Sequence, residues 1–161
     1  MALSYTPRSV GTDGNLRVHF VPEADDATSA ADVAGGIDVT YYLKTFTFTS
    51  TETSIEDPRL TLAVTLSKPG PTSYTFELQY VFGDETDDLA RETFVKGTQG
   101  SFVIRWAHDN ADAFTAGDIV DIVPVEAGAQ RKDTPAANSQ FTITQSFGVS
   151  GVPQENVALV A

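Results

Sequence analysis

The chain has 161 residues, 41% hydrophobic and 20% charged, a composition typical of one folded domain rather than a disordered segment. It has no cysteine, which excludes a disulfide-stapled scaffold and a thiolate metal site. Its 22 acidic and 10 basic residues give a net charge of −12, which disfavours binding to nucleic acid or acidic lipid because each phosphate contact needs a cation. The same charge is also compatible with a role in solubility alone.

The first part of the chain combines a polar stretch with strand-like segments. Residues 1–12 are polar, contain a proline and lack strand alternation, so we interpret them as an N-terminal arm. Neither a signal peptide nor a membrane span is expected, because no sufficiently long apolar segment is present. Apolar and polar residues alternate in LRVHF and again in GIDVTYYLKTFTFTS, where Phe46 and Phe48 point one way and threonines the other.

A hairpin is the clearest prediction in the middle of the chain. The alternating segments RLTLAVTL and TSYTFELQYVF flank residues 68–71, whose two prolines and glycine predict a tight turn. The preceding link, residues 50–59, is far longer than a tight turn between neighbouring strands. We therefore interpret this link as an extended loop.

One segment interrupts the strand pattern and predicts an amphipathic α-helix over residues 84–96. Asp84 can cap its first turn, and the acidic residues that follow favour the positive end of the helix dipole. Lys96 lies near the opposite end, and Gly97 is suited to the position just after the helix.

The last third of the chain returns to strands. GSFVIRWA and GDIVDIVPV are joined by the acidic loop HDNADAFTAGD, and SQFTITQSFGVSG is another long alternating segment. Residues 152–161 contain a final apolar strand that can pair within its own chain or with another copy. The sequence thus predicts a mainly β domain over residues 1–161, with about eight or nine antiparallel strands and one flanking helix.

The sequence lacks the known motifs of catalysis and metal binding. Neither His19 nor His108 belongs to a nucleophile elbow, an HExxH helix or a phosphate-binding loop. The acidic loop offers oxygen ligands but lacks the glycine and the final glutamate of an EF-hand, so we interpret it as a solvated loop. Tyr41 and Tyr42 are adjacent and point to opposite faces of a strand, which argues against a sugar-stacking platform. The sequence therefore favours a protein that is not an enzyme and that needs no cofactor or metal.

The order of these segments resembles one known family. The segments are GIDVTYYL, EDPRL followed by a strand and KPG, YTFELQYVF before an acidic helix, KGTQGSFVIRW, and the final AGDIVDIVPVEAGAQRKDTPAANSQFTITQSFGVSG with VALVA. In this order they resemble the major tail (tail tube) proteins of long-tailed, non-contractile phages (siphophages) infecting actinobacteria. The resemblance covers nearly the whole chain, and its last third carries most of it.

The resemblance implies a tail-tube β-sandwich or barrel with a helix on its flank, and a structural virion protein without an active site. It implies that six copies form a ring, that rings stack into a tube, and that viral DNA passes through during ejection without specific binding. The implied partners are further copies of the chain, the tape measure protein, the tail terminator and the distal tail protein. Assembly is expected in the host cytoplasm, with the virion tail as final location. A tail terminator, a capsid-decorating protein and a non-catalytic β-sandwich binding module remain alternatives.

Candidate site residues follow from this resemblance. A wall that lets DNA pass should carry acids rather than bases, and acids on polar strand faces are candidates, although each is equally compatible with the solvated outer face. The lumen candidates are Asp38, Glu77, Asp118 and Asp121. Contacts between subunits or rings are expected from the N-terminal arm, the 50–59 link and the terminal strand. The contact candidates are Leu3, Tyr5, Thr51, Glu52, Thr53, Ser54, Ile55, Val157 and Leu159.

Overall fold

The computed structural model describes residues 9–23, 28–83 and 88–161, and these residues form eight strands and two short helices. The strands are β1 (Leu16–Pro22), β2 (Ile37–Asp38), β3 (Leu43–Asp57), β4 (Leu66–Val81), β5 (Gln99–Trp106), β6 (Ile119–Lys132), β7 (Thr142–Val149) and β8 (Gln154–Ala158). The helices are α1 (Ala30–Ala34) and α2 (Leu89–Thr93), and a 3-10 turn spans Thr40–Tyr42. The prediction of a mainly β protein with about eight strands is confirmed.

All eight strands belong to one antiparallel sheet. Its order is β2-β1-β5-β6-β7-β4-β3, and β8 pairs with the start of β6. β5 and β6 read as nearly continuous apolar runs because both of their faces are covered. Alternate residues of these two strands contribute to two separate hydrophobic clusters, one on each face of the sheet.

The sheet curls so strongly that strands far apart in its order touch across the larger cluster. Two strands separate β4 from β5, so in a flat sheet their axes would lie about 14 Å apart. The ring centroids of Phe76 on β4 and Phe102 on β5 are nevertheless only 4.9 Å apart. Phe46 on β3 likewise reaches Trp106 on β5, at 5.4 Å. This closure gives a barrel-like arrangement, as the resemblance implies.

Helix α2 is shorter than the predicted helix. Residues 84–87, including the proposed cap Asp84, lie outside the described residues. The helix ends at Thr93, because Phe94 turns its ring into the core and its carbonyl accepts hydrogen bonds from Gln130 and Gln145. Gly97 has a φ of 91°, the left-handed conformation proposed for it, but it follows a turn rather than the last helical residue. The sequence pattern does not predict the short helix α1.

The middle hairpin is the main correction to the predicted fold. Residues 50–57 are not a loop but continue β3, and residues 60–65 are not a strand but the turn of the hairpin. The run of Thr, Ser and Ile in residues 47–55 favours strand geometry, and Pro58 ends it. Residues 68–71 lie inside β4, where the free edge of a two-stranded ribbon tolerates prolines that lack an N–H donor.

The loop between β5 and β6 is fixed by Arg105, whose side chain is only 2% exposed. Its guanidinium donates to Asp118 Oδ2 at 2.8 Å and to the backbone carbonyls of Asp109, Asp112 and Ala113 at 2.6–3.0 Å. A buried charge is tolerated only when it is paired and hydrogen-bonded in this way. Burial alone would raise the pKa of Asp118, but hydrogen bonds from Thr115 and Arg105 outweigh it and lower the pKa.

We expect Phe102→Ala to lower the free energy of unfolding by about 3–5 kcal/mol, because it removes a fully buried ring that touches Phe20, Phe76, Phe94 and Phe147. Urea denaturation of the monomer measures this change. The control is Val152→Ala at an 81% exposed side chain, which should leave stability almost unchanged. Equal stabilities of the two variants would contradict the central role of the aromatic cluster.

Asp118→Asn should reduce the sensitivity of the fold to acid. Because the pKa of Asp118 is lowered in the folded chain, its stabilisation is present above the unfolded value of about 3.9 and is lost as pH falls through the folded value. The variant should therefore be less stable near neutral pH, and its Tm should fall less between about pH 5 and about pH 3. Thermal unfolding across this range tests the prediction. The control is exposed Glu155→Gln, whose Tm should fall as much as that of the unsubstituted protein.

Candidate functional site

β3 and β4 extend beyond the rest of the sheet. β4 pairs with β3 from Leu66 to Tyr80, but with β7 only from Phe76 to Val81. Residues 50–75 therefore form a two-stranded ribbon, the projecting hairpin, which extends roughly 30 Å at 3.3 Å per residue. Beyond Phe76 this ribbon has no third strand to support it among the described residues, unlike the part of β4 that pairs with β7.

Exposed apolar side chains cluster around the end of the projecting hairpin. Leu60 is 108% exposed and Val64 is 69% exposed, in a part of the chain that the sequence pattern assigns to a buried strand face. The cluster, here called the apolar tip, consists of Ile55, Leu60, Leu62, Val64 and Leu66. Clustered exposed apolar residues are typical of protein–protein contact surfaces.

The predicted contact residues of the 50–59 link lie on the projecting hairpin. Thr51, Glu52, Thr53, Ser54 and Ile55 are all exposed and all belong to β3. The two strands approach closely at Gly70, where a Cβ atom would lie 2.6 Å from the Thr53 hydroxyl and 2.8 Å from the Thr53 carbonyl oxygen. Glycine is therefore required at this point of the hairpin.

The outward side of β3, β4 and β7 is polar. Thr47 lies opposite Glu77 on β4, and Ser146 on β7 lies opposite Glu77 on its other side. The carboxylate of Glu77 accepts a hydrogen bond of 3.1 Å from the Ser146 hydroxyl. This surface, here called the polar face, consists of Thr45, Thr47, Thr49, Thr75, Glu77, Gln79, Thr144 and Ser146.

Asp133 lies at the margin of the polar face. Its carboxylate accepts hydrogen bonds from Thr142 at 2.7 Å, Gln79 at 3.0 Å and Thr144 at 2.8 Å. These hydrogen bonds lower the pKa of Asp133, which keeps the carboxylate charged. The start of the loop between β6 and β7 is thereby attached to both β4 and β7.

Of the four lumen candidates, Glu77 belongs to the polar face, and Asp38, Asp118 and Asp121 are held by partners within the chain. Asp38 forms an ion pair of 3.3 Å with Arg17, and Asp118 is bound to the buried Arg105. Burial raises the pKa of Asp38, but hydrogen bonds to Thr40 and nearby positive charge lower it further than burial raises it. Asp121 accepts hydrogen bonds from the Trp106 indole at 2.6 Å and from the Asn156 amide at 2.8 Å. Asp38, Asp118 and Asp121 are thus each engaged by a different partner of their own chain.

The structure describes the contact candidates near the C-terminus but not those near the N-terminus. Leu3 and Tyr5 lie outside the described residues. Val157 pairs with Val120 of the same chain, and Leu159 is 3% exposed in the smaller hydrophobic cluster. The terminal strand β8 is thus integrated into the sheet of its own chain.

Neither a metal site nor a membrane-spanning helix is found in the described ranges. No group of three or more His, Asp or Glu side chains there could hold a metal ion. Neither of the short helices described is long and apolar enough to cross a membrane.

Comparison with known proteins identifies the family. The sequence model of the family described as "Phage tail tube protein" matches residues 4–161. The fold resembles the sheath/tube terminator of the extracellular contractile injection system PVC in its extended state, with a TM-score of 0.58, 10% identity, and coverage of 95% of this chain and 99% of that chain. It also resembles a chain of the 6-fold symmetrised baseplate of the anti-feeding prophage (AFP), with a TM-score of 0.54, 10% identity, and coverage of 93% and 95%.

At this low identity the two structures support the fold alone. No curated protein sequence matches the chain. The family model, in contrast, covers nearly the entire sequence. The protein therefore belongs to the phage tail tube protein family.

Proposed function

We propose that this protein forms hexameric rings that stack into the tail tube of a long-tailed, non-contractile phage, through which viral DNA is ejected. The projecting hairpin carries this proposal, because its apolar tip has no role in an isolated chain and suits contact with another copy. The protein acts as a structural component rather than an enzyme. It assembles in the host cytoplasm, together with the tape measure, terminator and distal tail proteins, and the resemblance of its last third points to an actinobacterial host.

The exposed edge of the sheet supports association within a ring. β3 is a 15-residue edge strand, and its outer backbone N–H and C=O groups face away from β4. A long edge strand is a template for pairing or packing against another chain. A ring in which β3 meets the neighbouring subunit covers this edge and places the sheets side by side around a central channel.

We assign the polar face to the channel wall. Threonine, serine and glutamine side chains form no counterion-releasing contacts with phosphate, and Glu77 repels it. Screening limits such repulsion to about 8–10 Å at physiological salt, so only acids on the wall itself act on passing DNA. Asp38 and Asp118 are offset by arginine partners, and we assign them, with Asp121, to holding loops and strand ends in place.

A tail terminator is the second candidate, since one of the similar folds is described as a sheath/tube terminator. Electron microscopy of the purified protein distinguishes the two functions. Hollow tubes of stacked rings support the tube protein, whereas single rings that do not stack support the terminator.

Leu60→Asp combined with Leu62→Asp should prevent tube formation without unfolding the monomer. Both side chains are exposed, so the Tm should change by no more than a few degrees, while two carboxylates would prevent burial of the apolar tip. Thermal unfolding and electron microscopy provide the two readouts. Val152→Asp, at an exposed apolar residue away from the hairpin, is the matched control. Normal tubes from the double variant would rule out the hairpin as a contact element.

Glu77→Lys should slow DNA ejection while tubes still assemble. Six added lysines per ring would form phosphate contacts, and the slowing should weaken as salt rises from about 50 to about 200 mM because such contacts depend on counterion release. The measurement is the rate of DNA release from phage carrying the variant. Glu92→Lys, on the exposed side of α2, makes the same charge change away from the polar face. Equal ejection rates in both phages at low salt would show that Glu77 does not line the channel wall.

A further inference from the structure

We propose that His19 on β1 is a pH-sensitive switch, which loosens the loop between β5 and β6 when its imidazole gains a second proton. His19 is only 3% exposed and lies where β1 meets α1, β2 and this loop. The switch works within one chain, so it does not depend on the assembly of copies into a tube.

The hydrogen bonds of His19 show where its single proton lies. Its Nδ1 lies 2.8 Å from the Val33 carbonyl oxygen of α1, which can only accept, so Nδ1 carries a proton. Its Nε2 receives the Nε–H of Arg17 at 3.1 Å and must therefore be an acceptor. An imidazole that donates from one nitrogen and accepts at the other is neutral. The contacts thus select the neutral form of His19 with its proton on Nδ1.

Arg17 connects this imidazole to the loop. Its guanidinium also donates to the backbone carbonyl of Asp112 and, at 3.3 Å, to the carboxylate of Asp38. Its Cζ lies 5.3 Å from the ring centroid of Phe114, which is a cation–π contact. His19 meets the same ring edge-on, with the centroids 4.8 Å apart. A change in the contact between His19 and Arg17 therefore acts directly on the loop.

The charges around His19 are balanced only while its imidazole is neutral. Arg17 pairs with Asp38 on one side of Phe114, and Arg105 pairs with Asp118 on the other. A second proton on the imidazole would set three positive groups against two carboxylates. Because the site is largely buried, water compensates little of this excess, and one positive group has to move outward.

The second proton is incompatible with the contact to Arg17. Nε2 would become a donor facing the Nε–H donor of Arg17, and both groups would be positive. Asp38 Oδ2, 3.4 Å from Nε2, is the acceptor available to the new N–H. Arg17 is the group that can leave, because its side chain is 16% exposed whereas that of Arg105 is 2% exposed. The loop then keeps its hydrogen bonds to Arg105 but loses those to Arg17.

Nuclear magnetic resonance of the full-length monomer tests the switch. The chain has two histidines, and His108→Gln removes the other one, which is 48% exposed and lies 3.6 Å from the Asp112 carboxylate within the loop itself. At about pH 8 the imidazole nitrogens of His19 should show a proton on Nδ1 alone, and a second proton should be gained before about pH 5. The amide order parameters of residues 112–114 should fall with the same midpoint.

Arg17→Met in the same His108→Gln chain separates the release of Arg17 from the charge of the imidazole itself. The variant keeps an unbranched side chain but has no guanidinium, so the loop lacks this contact at every pH. His19 should still gain its second proton, while the order parameters of residues 112–114 should be low and independent of pH. Arg131→Met makes the same change at an exposed site on β6, and the pH-dependent fall should persist.

The remaining outcomes contradict the switch. A proton on Nε2 at about pH 8, alone or together with one on Nδ1, overturns the proposed contact with Arg17. The switch is also overturned if His19 gains no second proton above about pH 5, or if the loop stays equally ordered while it does. An equal pH-dependent fall in Arg17→Met would show that Arg17 does not transmit the change. All of these measurements are independent of tube formation.

Discussion

The contact between Phe76 on β4 and Phe102 on β5 is the interaction on which the rest of the structure depends. It draws together two strands that are three positions apart in the sheet order, and so closes the sheet around the larger core. Phe94, directly after α2, and Phe147 on β7 complete the same aromatic group. Because closure uses only the C-terminal half of β4, the N-terminal half has β3 as its single pairing partner and projects from the body. The candidate contact element is thus a consequence of how the core closes.

The charge of the protein has two distinct physical roles. Asp38 and Asp118 lie next to arginines and keep their negative charge because those arginines and their hydrogen bonds stabilise it. These acids hold the fold and add little to the long-range field. Unpaired surface acids instead make copies repel one another, which opposes non-specific association through the exposed tip. Association of two such copies would require a contact at which this repulsion is screened or locally offset.

The sequence predicts the fold class well because alternation reports directly which strand faces are buried. It predicts β5, β7 and the first half of β6, and the alternation in TSYTFELQYVF correctly places Phe76, Leu78 and Tyr80 on one buried face. It misplaces the hairpin turn, because proline and glycine in residues 68–71 resemble a turn although a free ribbon edge tolerates them. The apolar tip is missed for a related reason. The alternation of apolar residues at Leu60, Leu62 and Val64 cannot distinguish a strand face buried within the chain from a surface that is exposed in the single chain.

The apolar tip lies far from the core of its own chain, and this constrains how copies of the chain can associate. Exposed apolar side chains on a strand edge invite uncontrolled association unless their partner surface is specific. A contact that buries the tip at one defined place on another copy would satisfy this condition. The surface that makes an isolated copy prone to aggregation is therefore the surface that a specific contact between copies would have to cover.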